Sequence, residues 1–215
     1  MKIASQIDRA VEILKAGGVV AYPTDTVYGL GADVFNADAV AKIYDVKKRP
    51  RTIPLPVLIA EAEQVKLVAS SVSRCARLLM RHFWPGGLTL VLPKAASLPD
   101  IVTAGDDKVA VRLPNHIVPL TIVRRLGKPI IGTSANVSDR PSPLTAQEVE
   151  QQLAGQVDLI IDMGRCPGGI ESTVVDVTAE APVVLRQGIV PEEEVMEVFR
   201  EYAKEVGKSE NRSRL

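Results

Sequence analysis

Five short polar segments break an otherwise apolar chain, and each carries groups that could grip a ligand. They are residues 23–31 (PTDTVYGLG), 47–50 (KKRP), 111–114 (VRLP), 133–138 (TSANVS) and 169–173 (GIEST). Each falls at the end of an expected strand or just past an expected helix, where ligands bind in α/β proteins. The segments offer fixed cations, hydroxyls and backbone amides. They offer no evident nucleophile and no cluster of metal-binding residues. That inventory suits holding a polyphosphate beside a small polar substrate.

The single motifs narrow this further. Gly29 and Gly31 form only the front of a GxGxxG pattern, and no GxxxxGK(S/T) occurs, so neither a Rossmann nor a Walker phosphate loop is expected. Taken alone, the two glycines read as a turn needing positive φ. The run Lys47, Lys48, Arg49, Arg51 reads either as a solvated helix end or as a phosphate clamp. The strand entered through Pro54 turns the run back over the sheet and favours the clamp. Ser134 lies just past a strand, as in a nucleophile elbow, but Asn136 stands where GxSxG needs glycine. His82 reads as packed or capping and His116 as a structural turn residue, so neither suits a catalytic triad. Ser134 and Asn136 read instead as hydrogen-bonding groups for phosphate or ribose. Arg112 ends an apolar run and needs a partner there. That partner is either a substrate carboxylate or one of Asp106, Asp107 and Glu171. Ser172 and Thr173 either line the same pocket or cap a turn. A magnesium ion would arrive on nucleotide phosphates rather than in a protein cage.

The elements that must position these groups follow from periodicity and caps. A helix over 6–16 places Ile7, Ala10, Val11 and Leu14 on one face, with Ser5 as cap and Gly17 as stop. Strand 19–22 follows, then helix 37–45 capped by Asn36, strand 55–60, and helices 61–68 and 71–83. Strands 88–92 and 109–113 precede helix 118–126, which ends at Gly127, and strand 129–132. Thr145 and Glu148 form a capping box for helix 146–153. Strands 159–162, 173–177 and 183–186 lead to a last helix with Pro191 as its first residue and Glu192, Glu193 and Glu194 near its positive end. Strand and helix alternate in the middle, and strands run together at the end. The expected fold class is therefore α/β with a mixed sheet.

The chain has 215 residues, 46% apolar and 24% charged, with zero formal net charge. This is an ordinary globular composition, long enough for one domain with a substantial core. No linker or repeat divides it. Residues 208–215 read as a polar, frayed tail. A neutral chain has no global field to gather nucleic acid, so such binding would need a local patch. Cys75 and Cys166 offer neither a disulfide framework nor a CxxC pair, which fits a reduced, cytoplasmic setting. No secretion signal and no membrane-length apolar run occur.

In their order, the segments resemble the YrdC/Sua5/TsaC family of threonylcarbamoyl-AMP synthases, from about Ser5 to Val190. The family's K-x-R…S-x-N tetrad falls on Lys47, Arg49, Ser134 and Asn136. Its PTDTVYGLG stretch is intact at 23–31, and SANxSGxPSP matches at 134–143 except that Asp139 replaces glycine. ESTVVD matches at 171–176 and LRxG at 185–188. The resemblance implies an open, twisted, YrdC-like (DHBP-synthase-like) α/β sheet flanked by helices. It also implies a deep basic cleft and the short single-domain form, here residues 1–207. It implies a nucleotidyltransferase: L-threonine and bicarbonate or CO2 give N-carboxythreonine, whose carboxylate attacks the α-phosphorus of ATP and expels pyrophosphate. A downstream threonylcarbamoyl-transferase complex (TsaD/TsaB/TsaE-like or Kae1-like) would then modify the t6A adenosine of tRNAs reading ANN codons, with tRNA itself a candidate partner. By the same resemblance Lys47, Arg49, Lys108, Ser134, Ser142 and Arg186 contact ATP, and Asn136 completes the catalytic tetrad. Thr26, Arg112 and Ser172 hold L-threonine, Arg112 taking its α-carboxylate. Magnesium sits on the ATP phosphates, with no protein metal ligand. The attacking oxygen is already anionic, so positioning and cations suffice without a strong base.

Three positions depart from the family pattern. Ile53 stands where many members have lysine, Leu58 where several have histidine, and Asp139 where glycine is usual. If the lysine and the histidine touch ligand in other members, those contacts are either absent here or made by other residues such as Arg51. A rival reading is an RNA-binding or ribosome-associated module using the same cleft. Zero net charge, three Phe and one Trp argue against it. A carbamoyl-transfer domain of the hydrogenase-maturation type shares the fold, but its chemistry needs companion domains that this sequence does not include.

Overall fold

The computed structural model describes residues 3–212, with side chains through residue 204. Helix α1 (Ile3–Lys15) turns Ile7, Ala10, Val11 and Leu14 inward, the spacing of one helical face. It begins ahead of Ser5, so Ser5 lies inside the helix and is not its cap. Gly17 takes φ 77 and releases the chain into β1 (Val20–Tyr22), which pairs antiparallel with β2 (Gly29–Gly31). Neither Gly29 nor Gly31 takes a positive φ, which corrects the turn expected there. The Tyr22 ring lies across them instead. A Cβ would sit 2.8 Å from that ring at Gly29 and 2.7 Å at Gly31. These positions need glycine for close approach.

Helix α2 (Ala37–Lys47) is capped by Asn36, whose side chain accepts from Ala39 N at 3.1 Å. Next come β3 (Val57–Leu58), a 3-10 turn over Ala62–Leu67 where a full helix is expected, and α3 (Arg74–Phe83). His82 is exposed on α3, with its ring tilted against that of Phe83 at 6.3 Å between centroids. β4 (Leu88–Pro93), the short α4 (Asp100–Thr103) and β5 (Lys108–Arg112) follow. Helix α5 (Ile117–Leu126) is capped by His116, whose Nδ1 accepts from Val118 N at 3.2 Å, and stopped by Gly127 at φ 75. After β6 (Ile130–Ile131) and β7 (Thr133–Ser134), α6 (Ala146–Leu153) starts behind its Thr145 cap. β8 (Leu159–Ile160), β9 (Thr173–Asp176), β10 (Val183–Arg186) and α7 (Glu192–Arg212) complete the order. Pro191 sits one residue ahead of α7, and its carbonyl accepts from Val195 N. The stretch read as a tail overlaps α7 as far as Arg212, and residues 213–215 lie outside the described residues.

The strands form two mixed sheets rather than one. Four run in the order β7-β2-β1-β8 and six in the order β10-β9-β4-β5-β3-β6. β1–β8, β3–β5 and β4–β9 are parallel, and the other pairs are antiparallel. The sheets touch where Ile131 N donates to Ala32 O at 2.8 Å and Tyr22 Oη donates to Ile131 O at 2.9 Å. One apolar cluster joins Val19, Ala21 and Leu30 of the first sheet region with Val57, Leu90 and Val111 of the second. No helix among the described residues is long and apolar enough to cross a membrane.

Candidate ligand pocket at the junction of the sheets

The larger sheet ends in a row of side chains. Leu58 and Arg112 are register partners on parallel β3 and β5. Thr89, on β4, lies on the other side of β5. Its hydroxyl meets that of Ser172, just before β9, at 2.9 Å. Arg186, ending β10, donates through Nη2 to Ser172 O at 2.9 Å. Facing this row are Thr26 and Val27, ahead of β2, and the loop that leaves β7. Between them lies a cavity of about 560 Å³. Its lining carries the cations Lys47, Arg49, Arg112, Arg140 and Arg186 and the acids Asp139 and Glu171.

Arg112 is nearly out of water at 6% exposure, and three partners fix it. Nε donates to Gly86 O at 2.8 Å, Nη1 to Thr26 Oγ1 at 2.9 Å and Nη2 to Asp25 Oδ1 at 2.6 Å. Its ion-pair partner is thus Asp25, not Asp106, Asp107 or Glu171. Burial pulls the Arg112 pKa down, and Asp25 opposes that pull. A guanidinium carries five N–H donors, so two remain for a ligand.

The basic run is split by backbone geometry. Lys48 caps α2 in the left-handed region at φ 51, which sends Lys47 inward and Arg49 to the pocket. Lys47, only 1% exposed, donates to Ser134 O at 2.5 Å, Asn136 O at 2.8 Å and Asn136 Oδ1 at 3.3 Å. All three ammonium protons are engaged, and they clamp the loop that follows β7. Burial, then the nearby Arg49 charge, lowers its pKa to about 8, against a raising pull from Glu171. Arg49 is half-buried and donates to Ile53 O at 3.2 Å and Pro54 O at 2.9 Å.

Glu171 draws two expected nucleotide contacts together. It pairs with Arg186 and accepts from Ser142 Oγ at 2.6 Å. Ser142 therefore reaches the pocket only through Glu171. Lys108 is not part of the lining, and its Nζ holds Asp176 Oδ2 at 2.9 Å. Arg51 pairs with Asp45 outside the pocket, so it does not stand in for the missing lysine and histidine. Ile53 and Leu58 instead give that side of the cavity an apolar surface. Thr26, Lys47, Arg49, Arg112, Ser134, Asn136, Ser172 and Arg186 do all line it. The residues not anticipated are Thr89, Arg140 and, behind Arg112, Asp25. A threonine breaking the apolar run LTLVL was the available signal for Thr89. Asp25 lies 87 residues from Arg112, and only the tertiary fold pairs them.

Cys166 is buried, and burial raises its thiol to about 11, which makes it a poor nucleophile. No group of three or more His, Cys, Asp or Glu residues poised for a metal occurs among the described residues.

The open-sheet α/β fold thus places a pocket lined by cations and hydroxyls at its strand ends. The chain belongs to the Sua5/YciO/YrdC family, whose pattern, described as telomere recombination, matches residues 12–188. It is 44% identical to threonylcarbamoyl-AMP synthase of Bacillus subtilis, covering 90% of this chain and 56% of that one. It is 43% identical to threonylcarbamoyl-AMP synthase of Pyrococcus abyssi over 89% of this chain and 56% of the relative. It is 40% identical to a putative threonylcarbamoyl-AMP synthase of Mycobacterium tuberculosis, over 88% of this chain and 87% of the relative. The solved structure of P. abyssi Sua5 complexed with L-threonine superposes with a TM-score of 0.87 at 43% identity, covering 89% of this chain and 56% of that one. The chain thus spans about half the length of the first two relatives.

Proposed function

We propose that the chain is a threonylcarbamoyl-AMP synthase, a nucleotidyltransferase that converts L-threonine, bicarbonate or CO2, and ATP into L-threonylcarbamoyladenylate and pyrophosphate. One observation carries the reading: cations and hydroxyls drawn from all five polar segments line one cavity of about 560 Å³. That volume fits small ligands, and the cation excess of the lining supports a basic cleft. The apolar cluster shared by both sheets supports treating the chain to about residue 207 as one domain.

In this reading the two remaining donors of Arg112 take the α-carboxylate of threonine, with Thr26 and Ser172 beside it. The threonine nitrogen carries the added CO2 as a carbamate. A carbamate oxygen attacks the α-phosphorus of ATP, the bond to the bridging oxygen breaks, and pyrophosphate leaves with the electron pair. The nucleophile is already an anion, so no side chain removes a proton at that step. Arg49 and Arg186 stabilise charge on the phosphates. Lys47 contributes its charge and shapes the loop holding Ser134 and Asn136. Magnesium rides on the phosphates, since Asp139 and Glu171 are too few to cage it. The adenylate would pass to a threonylcarbamoyl-transferase complex acting on tRNA. Two buried, free cysteines fit a reducing cytoplasm.

Incubation with ATP, L-threonine and bicarbonate should release pyrophosphate and yield the threonylcarbamoyl adenylate. Omission of threonine should abolish both signals. Pyrophosphate release that ignores threonine would sink the assignment.

A further inference from the structure

We propose that Thr24 is a positioning residue that fixes the proton of the Thr26 hydroxyl and so makes Thr26 an acceptor for the side-chain hydroxyl of the amino-acid substrate. This rests on the reading of the pocket given above. Thr24 is 4% exposed and Thr26 1% exposed, and Thr26 lines the cavity while Thr24 lies behind it.

The argument is a proton inventory. Thr24 Oγ1 lies 2.7 Å from Val27 O. A carbonyl has no proton, so Thr24 donates there, and it has no second proton to give. The 3.0 Å contact between the two threonine hydroxyls must then take its proton from Thr26. Thr24 Oγ1 has two lone pairs: one takes the Thr26 proton, and the neighbouring N–H groups of Thr26 at 3.0 Å and Val27 at 3.3 Å share the other as a three-centre contact, which ties this orientation to the backbone. Arg112 Nη1 fills one Thr26 lone pair at 2.9 Å. Thr26 is left with one lone pair and no free proton.

A carboxylate placed against that lone pair would meet an acceptor facing an acceptor. An O–H or N–H would be matched. The carboxylate belongs with the two open donors of Arg112. The α-amine and α-carboxylate are common to every amino acid, so the hydroxyl is the polar group that tells threonine from most others. An acceptor-only contact beside Arg112 reads that hydroxyl. A buried polar group left unmatched is what gives such sites their selectivity.

Titration calorimetry with L-threonine and O-methyl-L-threonine tests this, because the ether accepts but cannot donate. Wild type should bind the ether at least about 10-fold more weakly. In Thr24→Val the Thr26 proton is released and can serve the ether, so the ratio should fall by most of that factor. Thr24→Ser should keep the wild-type ratio. A purely structural Thr24 would weaken both ligands alike, and the extra methyl is the same in every variant. An unchanged ratio in Thr24→Val overturns the proposal while leaving the synthase reading standing. Equal affinity of wild type for both ligands overturns it even where Thr24→Val does not fold. Wild type that binds no L-threonine overturns both.

Discussion

Lys47 and Arg49 are two residues apart and have different jobs. Lys47 satisfies the carbonyls of Ser134 and Asn136 where water does not reach. Lys47→Ala should therefore cost about 1–3 kcal/mol of stability along with activity. Arg49 donates to the carbonyls of Ile53 and Pro54, which water can replace. Arg49→Ala should fold normally yet lose about 100-fold or more in adenylate formation. Urea denaturation paired with a pyrophosphate assay separates the two cases. The pH response of Lys47 has opposite signs in the two readouts. Its folded pKa of about 8 lies below the ordinary 10.5. Below about pH 8 the group is charged in both states, and the folded protein bears the cost of burying that charge. Between about 8 and 10.5 the folded protein loses the proton while the unfolded chain keeps it, so the group's contribution to stability rises with pH. Activity should fall across the same window as the charge disappears. A pH–rate profile still flat at high pH would contradict this.

Elements were legible where a cap or a periodicity marked them. Asn36, Thr145 and Gly127 mark helix ends that the structure keeps. β2 and β7 left no such mark. One is Gly-Leu-Gly and the other two residues long, and glycine is depleted in strands. Without those strands the division into two sheets was invisible, because pairing partners are a tertiary property. The site divided the same way. The segments bearing arginines and hydroxyls stood out, whereas the ties of Arg112 to Asp25 and of Lys108 to Asp176 needed the fold. The glycines of β2 give an element-scale prediction. A Cβ at Gly31 would press on the Tyr22 ring at 2.7 Å and the Ile131 carbonyl at 3.1 Å. Gly31→Ala should cost about 1–3 kcal/mol, seen as a lowered melting temperature. An unchanged melt would show that the two sheets part more easily than their packing suggests.

At the scale of the whole molecule, the pocket is the seam between the sheets: Thr26, Val27 and Ser134 come from one side, Leu58, Thr89 and Arg112 from the other. Ligands that touch both sides should hold them together. Threonine and ATP added together should raise the melting temperature by more than the sum of their separate shifts, where each ligand alone adds about 2.7 kcal/mol at 100-fold saturation. Additive, independent shifts would mean that the two ligands do not share the seam. Glu171 already occupies Arg186, so an incoming phosphate must compete with a tethered counter-anion. A weakly charged metabolite would lose that contest, whereas a triphosphate would carry enough charge to win it. Glu171→Gln should accordingly let inorganic phosphate inhibit at lower concentration than in wild type. A resident carboxylate of this kind would keep an open, cation-lined seam from filling with the commonest small anions of the cell.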